Sequence, residues 1–262
     1  MEKINPKVLV LLVLIVFTHL IFNQNLQLHY DEAYYWVWSK NLQLSYYDHP
    51  PMIAYLIRLT TLFSNKEIFI RLAAVICSTT TIVMMYKTSK CLFNQKTADI
   101  TVVLALAWPL LEGTFFITTI DSPLLMFWSI TLYCLARGLI LGEKKFIYFS
   151  GIALGCALLS KYTAILILPG VLIFLLLTPS KRHLLWGKDV YFALLLAMLV
   201  FSPVIIWNYQ HDWVSFAFQF HHGVASDKQI NLAGLGDYIG SLLGAANPFI
   251  SIPLLVFIYI KR

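Results

Sequence analysis

Residues 7–22, KVLVLLVLIVFTHLIF, contain no carboxylate and one lysine, and as a helix they are close to the length that crosses a bilayer. Seven further apolar runs follow, at 68–86, 98–118, 122–141, 146–160, 163–178, 190–207 and 243–260. A chain with about eight such runs is read as an all-α polytopic membrane protein, because helices satisfy their backbone polar groups without water. Composition agrees: only 12% of the 262 residues are charged, against about a quarter in soluble proteins, and mean hydropathy is +0.74. The first run resembles a signal-peptide core, but no small-residue cleavage site follows it, so it is expected to be retained as the first span. The fifth and sixth runs meet at Ser160-Lys161-Tyr162, where a tight hairpin or re-entrant pair is expected.

The loop charges give an orientation. With the N-terminus inside, thirteen of the nineteen Lys and Arg residues fall on the inner side, as the positive-inside rule requires. The net charge of +6 therefore reads as topology and not as a nucleic-acid surface, since the basic residues form no stripe. The acidic residues sort the other way, with Asp31, Glu32, Asp48, Asp121 and Asp212 at the outer face. Cys77, Cys91, Cys134 and Cys156 are widely spaced and lack CxxC or Cys/His ligand spacing, so neither disulfides nor a zinc site is expected.

The whole chain, 1–262, reads as one membrane domain with two outer loops, 23–67 and 208–242. The first holds MIAYLIRLTTLFS at 52–64, expected as a short helix along the membrane surface. The second opens with NYQHDWVSFAFQFHHG and can fold back over the first.

Within the first loop, Tyr30 to Pro51 gathers three carboxylates, one histidine and seven Tyr or Trp side chains. Ionisable groups that close to lipid mark functional sites. Asp31 suits a general base, and it equally suits a helix N-cap ahead of AYYWVWS. Asp48-His49-Pro50-Pro51 is a stiff turn, because each proline fixes its own backbone and restricts the residue before it. Asp121, in TTIDSP, is a catalytic candidate that also reads as a helix start. Lys161, between two apolar runs, must snorkel or find an anion. Arg58 and Arg71 lie within reach of a lipid phosphate or anchor the interface. Glu112, inside the third run, is a proton relay or a bundle contact. His211, His221, His222 and Asp212 match no strong metal signature.

The segments HYDEAYYWVWSKNL, SYYDHPPMIAYLIRL, TTIDSPLLMFW, GIALGCALLSKYTAILILP and WNYQHDWVSFAFQ, in that order, resemble bacterial members of the dolichyl-phosphate-mannose protein mannosyltransferase family, glycosyltransferase family 39. The resemblance includes relatives of the aminoarabinose transferase of lipid A and covers roughly residues 28–220. It implies a GT-C bundle with a large first extracytoplasmic loop carrying surface helices. It also implies a polyprenyl-phosphate sugar donor, and a lipid, glycan or protein acceptor.

Carried over by residue, the resemblance puts Asp31 of the Asp31-Glu32 pair at the catalytic acidic position, with Glu32 beside it as a further catalytic candidate, and Asp121 at a second acidic site. Lys161, next to Tyr162, matches a lysine that holds donor phosphate, and Asp48-His49 falls where relatives carry an acidic residue followed by a basic one. Family members usually have further spans and a C-terminal region, whereas this sequence stops at Lys261-Arg262. No cofactor is required by this reading, and a divalent metal stays open. The rivals are a lipid transporter or flippase, expected to show repeated halves and polar groups at the midplane, and a non-catalytic paralogue that binds polyprenyl phosphate.

Overall fold

The computed structural model describes residues 4–224 and 232–245, and every regular element among them is helical. In order these are α1 (Pro6–Asn23), α2 (Tyr30–Lys40), α3 (Met52–Thr60), α4 (Glu67–Leu92), α5 (Gln95–Leu106), α6 (Pro109–Gly113), α7 (Asp121–Leu135), α8 (Lys144–Leu158), α9 (Ile167–Leu177), α10 (Lys188–Gln210), α11 (Val214–Val224) and α12 (Leu232–Ala245). A π-helical turn, Ala136–Ile140, extends α7, and 3₁₀ turns precede α9 and α10.

Four helical stretches are long and apolar enough to cross a membrane: Pro6–Asn23, Glu67–Leu92, Asp121–Ile140 and Lys188–Gln210. They correspond to the first, second, fourth and seventh expected spans. The third expected span is broken into α5 and α6, because Trp108 precedes Pro109 and takes an extended conformation, as residues before proline do. The fifth, α8, has 15 residues, and the sixth is the short apolar stretch Tyr162–Leu177. The last expected span, 243–260, extends beyond the described residues.

The spanning helices pack side by side, α8 lying against both α7 and α10, and α4 against α1, α5 and α7. Buried side chains form three main groups. Val8, Leu12, Val75, Ile82 and Val102 join α1, α4 and α5. Leu124, Leu154, Leu158, Ala197 and Val204 join α7, α8 and α10. Tyr35, Trp38, Tyr46, Ile53, Ile57 and Ile70 join α2, the turn after it, α3 and α4.

The α8–α10 contact depends on small residues. A Cβ on Gly151 would overlap the Ala193 carbonyl, and one on Gly155 would stand 2.8 Å from Ala197 O. This is how membrane helices approach closely. Pro203 sits inside α10, where proline cannot donate to the carbonyl four residues back. That carbonyl, Leu199 O, accepts a hydrogen bond from Ser202 Oγ at 2.7 Å.

The helix expected within 52–64 is α3, and its apolar face is turned into the protein. Ile53, Ala54 and Ile57 are fully buried against α2 and α4. Exposed apolar groups lie instead at its far end, in Leu59, Leu62 and Phe63, the last 94% exposed. At the opposite end of the bundle, polar contacts tie helix termini together. Asn5 Nδ2 donates to Asp99 at 2.7 Å, Arg137 forks onto Glu143, and Lys144 pairs with Asp189 at 3.3 Å.

Candidate active site

The C-terminal ends of α1, α8 and α10 and the N-terminal ends of α4 and α7 meet at one end of the bundle, with α2 and the 41–51 turn between them. His29 caps α2: its Nδ1 accepts from Asp31 N at 3.4 Å, while the Glu32 carboxylate accepts from His29 N at 2.9 Å. Asp31 is therefore not the cap. Its side chain is 37% exposed, and the His29 Nδ1 lies 3.6 Å from its Oδ2. Asp121, at the first position of α7, makes no cap either, since Ile120 holds the capping position without a side-chain bond. Its Oδ1 instead accepts a hydrogen bond from Lys161 Nζ at 2.8 Å.

Lys161 reaches this position because α8 ends at Leu158 and the chain turns sharply. Leu159 O accepts from Met52 N at 3.0 Å, which ties the turn after α8 to the start of α3. The Asp48–Pro51 turn, closed by a Tyr46 N to His49 O bond at 3.2 Å, thus lies next to Lys161. Tyr34 Oη donates to Asp48 at 3.3 Å. Burial holds the His49 imidazole below its ordinary pKa, and the Lys161 charge adds to this while Asp48, Asp121 and Asp31 oppose it. Burial raises the Tyr35 phenol, and Asp31, Asp48 and Asp121 raise it further. The fields of all three carboxylates converge on these side chains. Tyr34 and Tyr35 were missed in the sequence, although three- and four-residue spacings from Asp31 put them on its face of α2.

The other expected site residues fall elsewhere. Glu32 is fully buried and its oxygens are saturated by His29 N, Arg71 Nε and Nη2, and Thr118 N, at 2.9–3.1 Å. No face remains for a substrate, so Glu32 is corrected from catalytic to structural. Arg71, its partner, is 2% exposed and turned inward, not towards lipid phosphate. Arg58 is exposed on the last turn of α3. Tyr162, next to Lys161, meets helix α11, its Oη 2.7 Å from Ser215 Oγ.

Glu112 is a bundle contact: its Oε1 lies 3.0 Å from Nε2 of the buried His19, without hydrogen-bond alignment. His211 stacks on Trp207, ring centres 4.0 Å apart. Among the described residues, no group of three or more His, Cys, Asp or Glu side chains is arranged to hold a metal ion.

The segment that opens at Asn208 does fold back over the 23–67 segment. Gln219 Nε2 donates to Asp48 O at 2.5 Å, Trp207 Nε1 donates to Gln43 at 2.9 Å, and Phe218 lies 4.9 Å from Tyr47.

Residues 48–207, which include His49, Asp121 and Lys161, match the dolichyl-phosphate-mannose-protein mannosyltransferase family. The chain belongs to this family. It is 32% identical over 236 residues to the lipid A galacturonosyltransferase RgtD of Rhizobium johnstonii, an alignment taking in 87% of this chain and 48% of that protein. Its fold matches the crystal structure of ArnT from Cupriavidus metallidurans in the apo state, with a TM-score of 0.71 and 18% identity, covering 93% of this chain and 49% of that one. The fold is thus the all-α, polytopic membrane architecture of that neighbour, and the chain spans about half the length of the relatives it matches.

Proposed function

We propose that this mannosyltransferase-family protein moves a sugar from a polyprenyl-phosphate donor to a lipid acceptor at the extracytoplasmic end of its bundle. The convergence of Asp31, Asp48, His49, Asp121 and Lys161, drawn from four separated segments onto one end, carries the reading. The relationship to a lipid A galacturonosyltransferase supports a lipid acceptor. The lysine and arginine distribution supports the extracytoplasmic face.

In the reaction, an acceptor oxygen attacks the sugar C1 while the bond from C1 to the phosphate oxygen breaks. The electron pair leaves with the polyprenyl phosphate, and the acceptor proton passes to the Asp31 carboxylate. A phosphate leaving group needs no strong general acid. Lys161, oriented by Asp121, stabilises the charge that builds on that phosphate, a kind of contact whose loss costs about 10²–10³ in rate. An apolar cleft between α7, α8, α9 and α10 runs from Ile167, on the helix that follows Lys161, towards Leu185 and Val190 near the opposite end of the bundle, and offers the polyprenyl tail an apolar path away from the site.

The test is transfer of labelled sugar from polyprenyl-phosphate donors into a membrane-lipid extract by the purified chain, with Asp31→Asn and Lys161→Ala alongside. Label in lipid with the wild type alone supports the reading. Donor binding that weakens in Lys161→Ala, with no transfer by any form, means a binding protein without turnover.

A further inference from the structure

The buried pair Glu32–Arg71 is saturated on both sides. An ionised carboxylate has about four acceptor positions, and Glu32 fills them with His29 N, Thr118 N and two nitrogens of Arg71. A guanidinium has five N–H donors. Arg71 directs them to Glu32 through Nε and Nη2, to Asn23 O and Leu26 O through Nη1, and to Gln27 O through Nη2, at 2.6–3.1 Å. One ion pair therefore joins the end of α1, the start of α2, the start of α4 and the strand of chain leading into α7. Thr118 adds a second tie, its Oγ1 donating to Ile70 O at 3.3 Å.

The points joined are significant. Asp31 is the residue before Glu32, and Asp121 follows Thr118 by three residues. We propose that Glu32 and Arg71 are positioning residues that fix the separation between the Asp31 carboxylate and the Asp121–Lys161 pair. This rests on the transferase reading above. Neither residue touches substrate; the planar fork of Arg71 and the two oxygens of Glu32 set the register of α2 against α7. The bond from Thr118 N is the one that gives the pair a spacing role, because Thr118 N is the only group among the four donors to Glu32 that belongs to the segment carrying Asp121.

A misplacement of about 1 Å at a reacting centre can cost about 10² in rate. Glu32→Asp keeps the charge and shortens the reach by one methylene. Glu32→Gln keeps the reach and places an amide donor against existing donors. Arg71→Lys keeps the charge and loses the fork. Each is assayed for kcat and donor KM per folded molecule, with the folded fraction read by size-exclusion chromatography and thermal melting in detergent.

Positioning predicts that kcat falls by about 10- to 100-fold, with donor KM within threefold of wild type and the folded fraction retained. Folded variants with kcat within threefold of wild type overturn it. Loss of the fold in all three variants also overturns it, assigning the pair to stability alone. A wild-type chain that transfers nothing sinks the transferase reading instead, so the two failures are distinguishable.

Discussion

Lys161 Nζ donates to Asp121 Oδ1 at 2.8 Å across forty residues of chain. Both side chains remain partly open, 30% and 47% exposed, and the ammonium has two further N–H donors. A phosphate can therefore join the pair or replace its carboxylate. Lys161→Ala is expected to weaken donor binding at least tenfold and to lower kcat/KM by about 10²–10³. Asp121→Asn removes the competing anion, so donor KM falls a few-fold while kcat drops because the lysine loses its orientation. Steady-state kinetics with varied donor separates these effects. A rise in donor KM for Asp121→Asn excludes competition between carboxylate and phosphate.

Gly151 faces the Ala193 carbonyl with no space for a Cβ, whereas Gly170 in α9 has open space around its Cβ position. Gly151→Ala must push α8 and α10 apart, an overpacking cost of about 1–3 kcal/mol. Gly170→Ala gains about 0.5–1 kcal/mol from helix propensity. Thermal melting in detergent should lower the midpoint for the first and leave it equal or higher for the second. Equal midpoints for Gly151→Ala and wild type would show that the helices separate freely.

Much of this arrangement is legible in the sequence, because apolar length and loop charge are local properties. The spanning helices around 7–22, 68–86, 122–141 and 190–207 could be placed on that basis. So could the gathering of Asp31, Asp48, His49, Asp121 and Lys161 at one end. The break at Trp108-Pro109 was visible as a proline, yet the apolar residues on both sides hid it within one long run.

Arg71 was misread for a different reason. An arginine near an apolar boundary looks like a lipid anchor until its partner, Glu32, is brought across 39 residues of chain. The capping roles of Asp31 and Asp121 failed because His29 supplies the α2 cap and Lys161 captures Asp121. The Arg71–Glu32 and Lys161–Asp121 pairings depend on tertiary geometry that no spacing encodes, whereas the His29 cap is local and its three-residue spacing to Glu32 is that of a capping box.

His49 binds its proton less readily in the folded protein than in the unfolded chain, burial being the main cause and Lys161 the second depressing influence. Between the folded value and the unfolded one, near 6.5, the unfolded state carries more protons, so stability rises with pH. The contribution is complete above about pH 6.5 and is lost as pH falls through the folded value. Wild type should lose thermal stability as pH is lowered from about 7.5 towards 5, and part of that loss should vanish in His49→Gln. Parallel melting curves for the two proteins across that range would exclude the imidazole as a source of acid sensitivity.

Gln219 holds the Asp48 carbonyl from the far side of the site, and Ser215 on the same helix meets Tyr162, the neighbour of Lys161. Helix α11 thus bridges the two turns that carry Asp48 and Lys161. The turn leading into it has Asp212 and Trp213 at φ 53° and 59°, a left-handed conformation that ordinary residues adopt only when surrounding contacts hold it. Those contacts include Trp213 N to Asn208 O at 2.8 Å and Phe216 N to Asn208 Oδ1 at 3.3 Å.

Gln219→Ala removes one bond worth about 1 kcal/mol, and Asn208→Ala removes a support of the turn itself. Both should speed proteolysis within 211–224 and raise donor KM by about three- to tenfold, the size expected from roughly 1 kcal/mol of lost order, with kcat within threefold. A fall in kcat at unchanged KM would place α11 in the chemical step instead of in the holding of the donor turn.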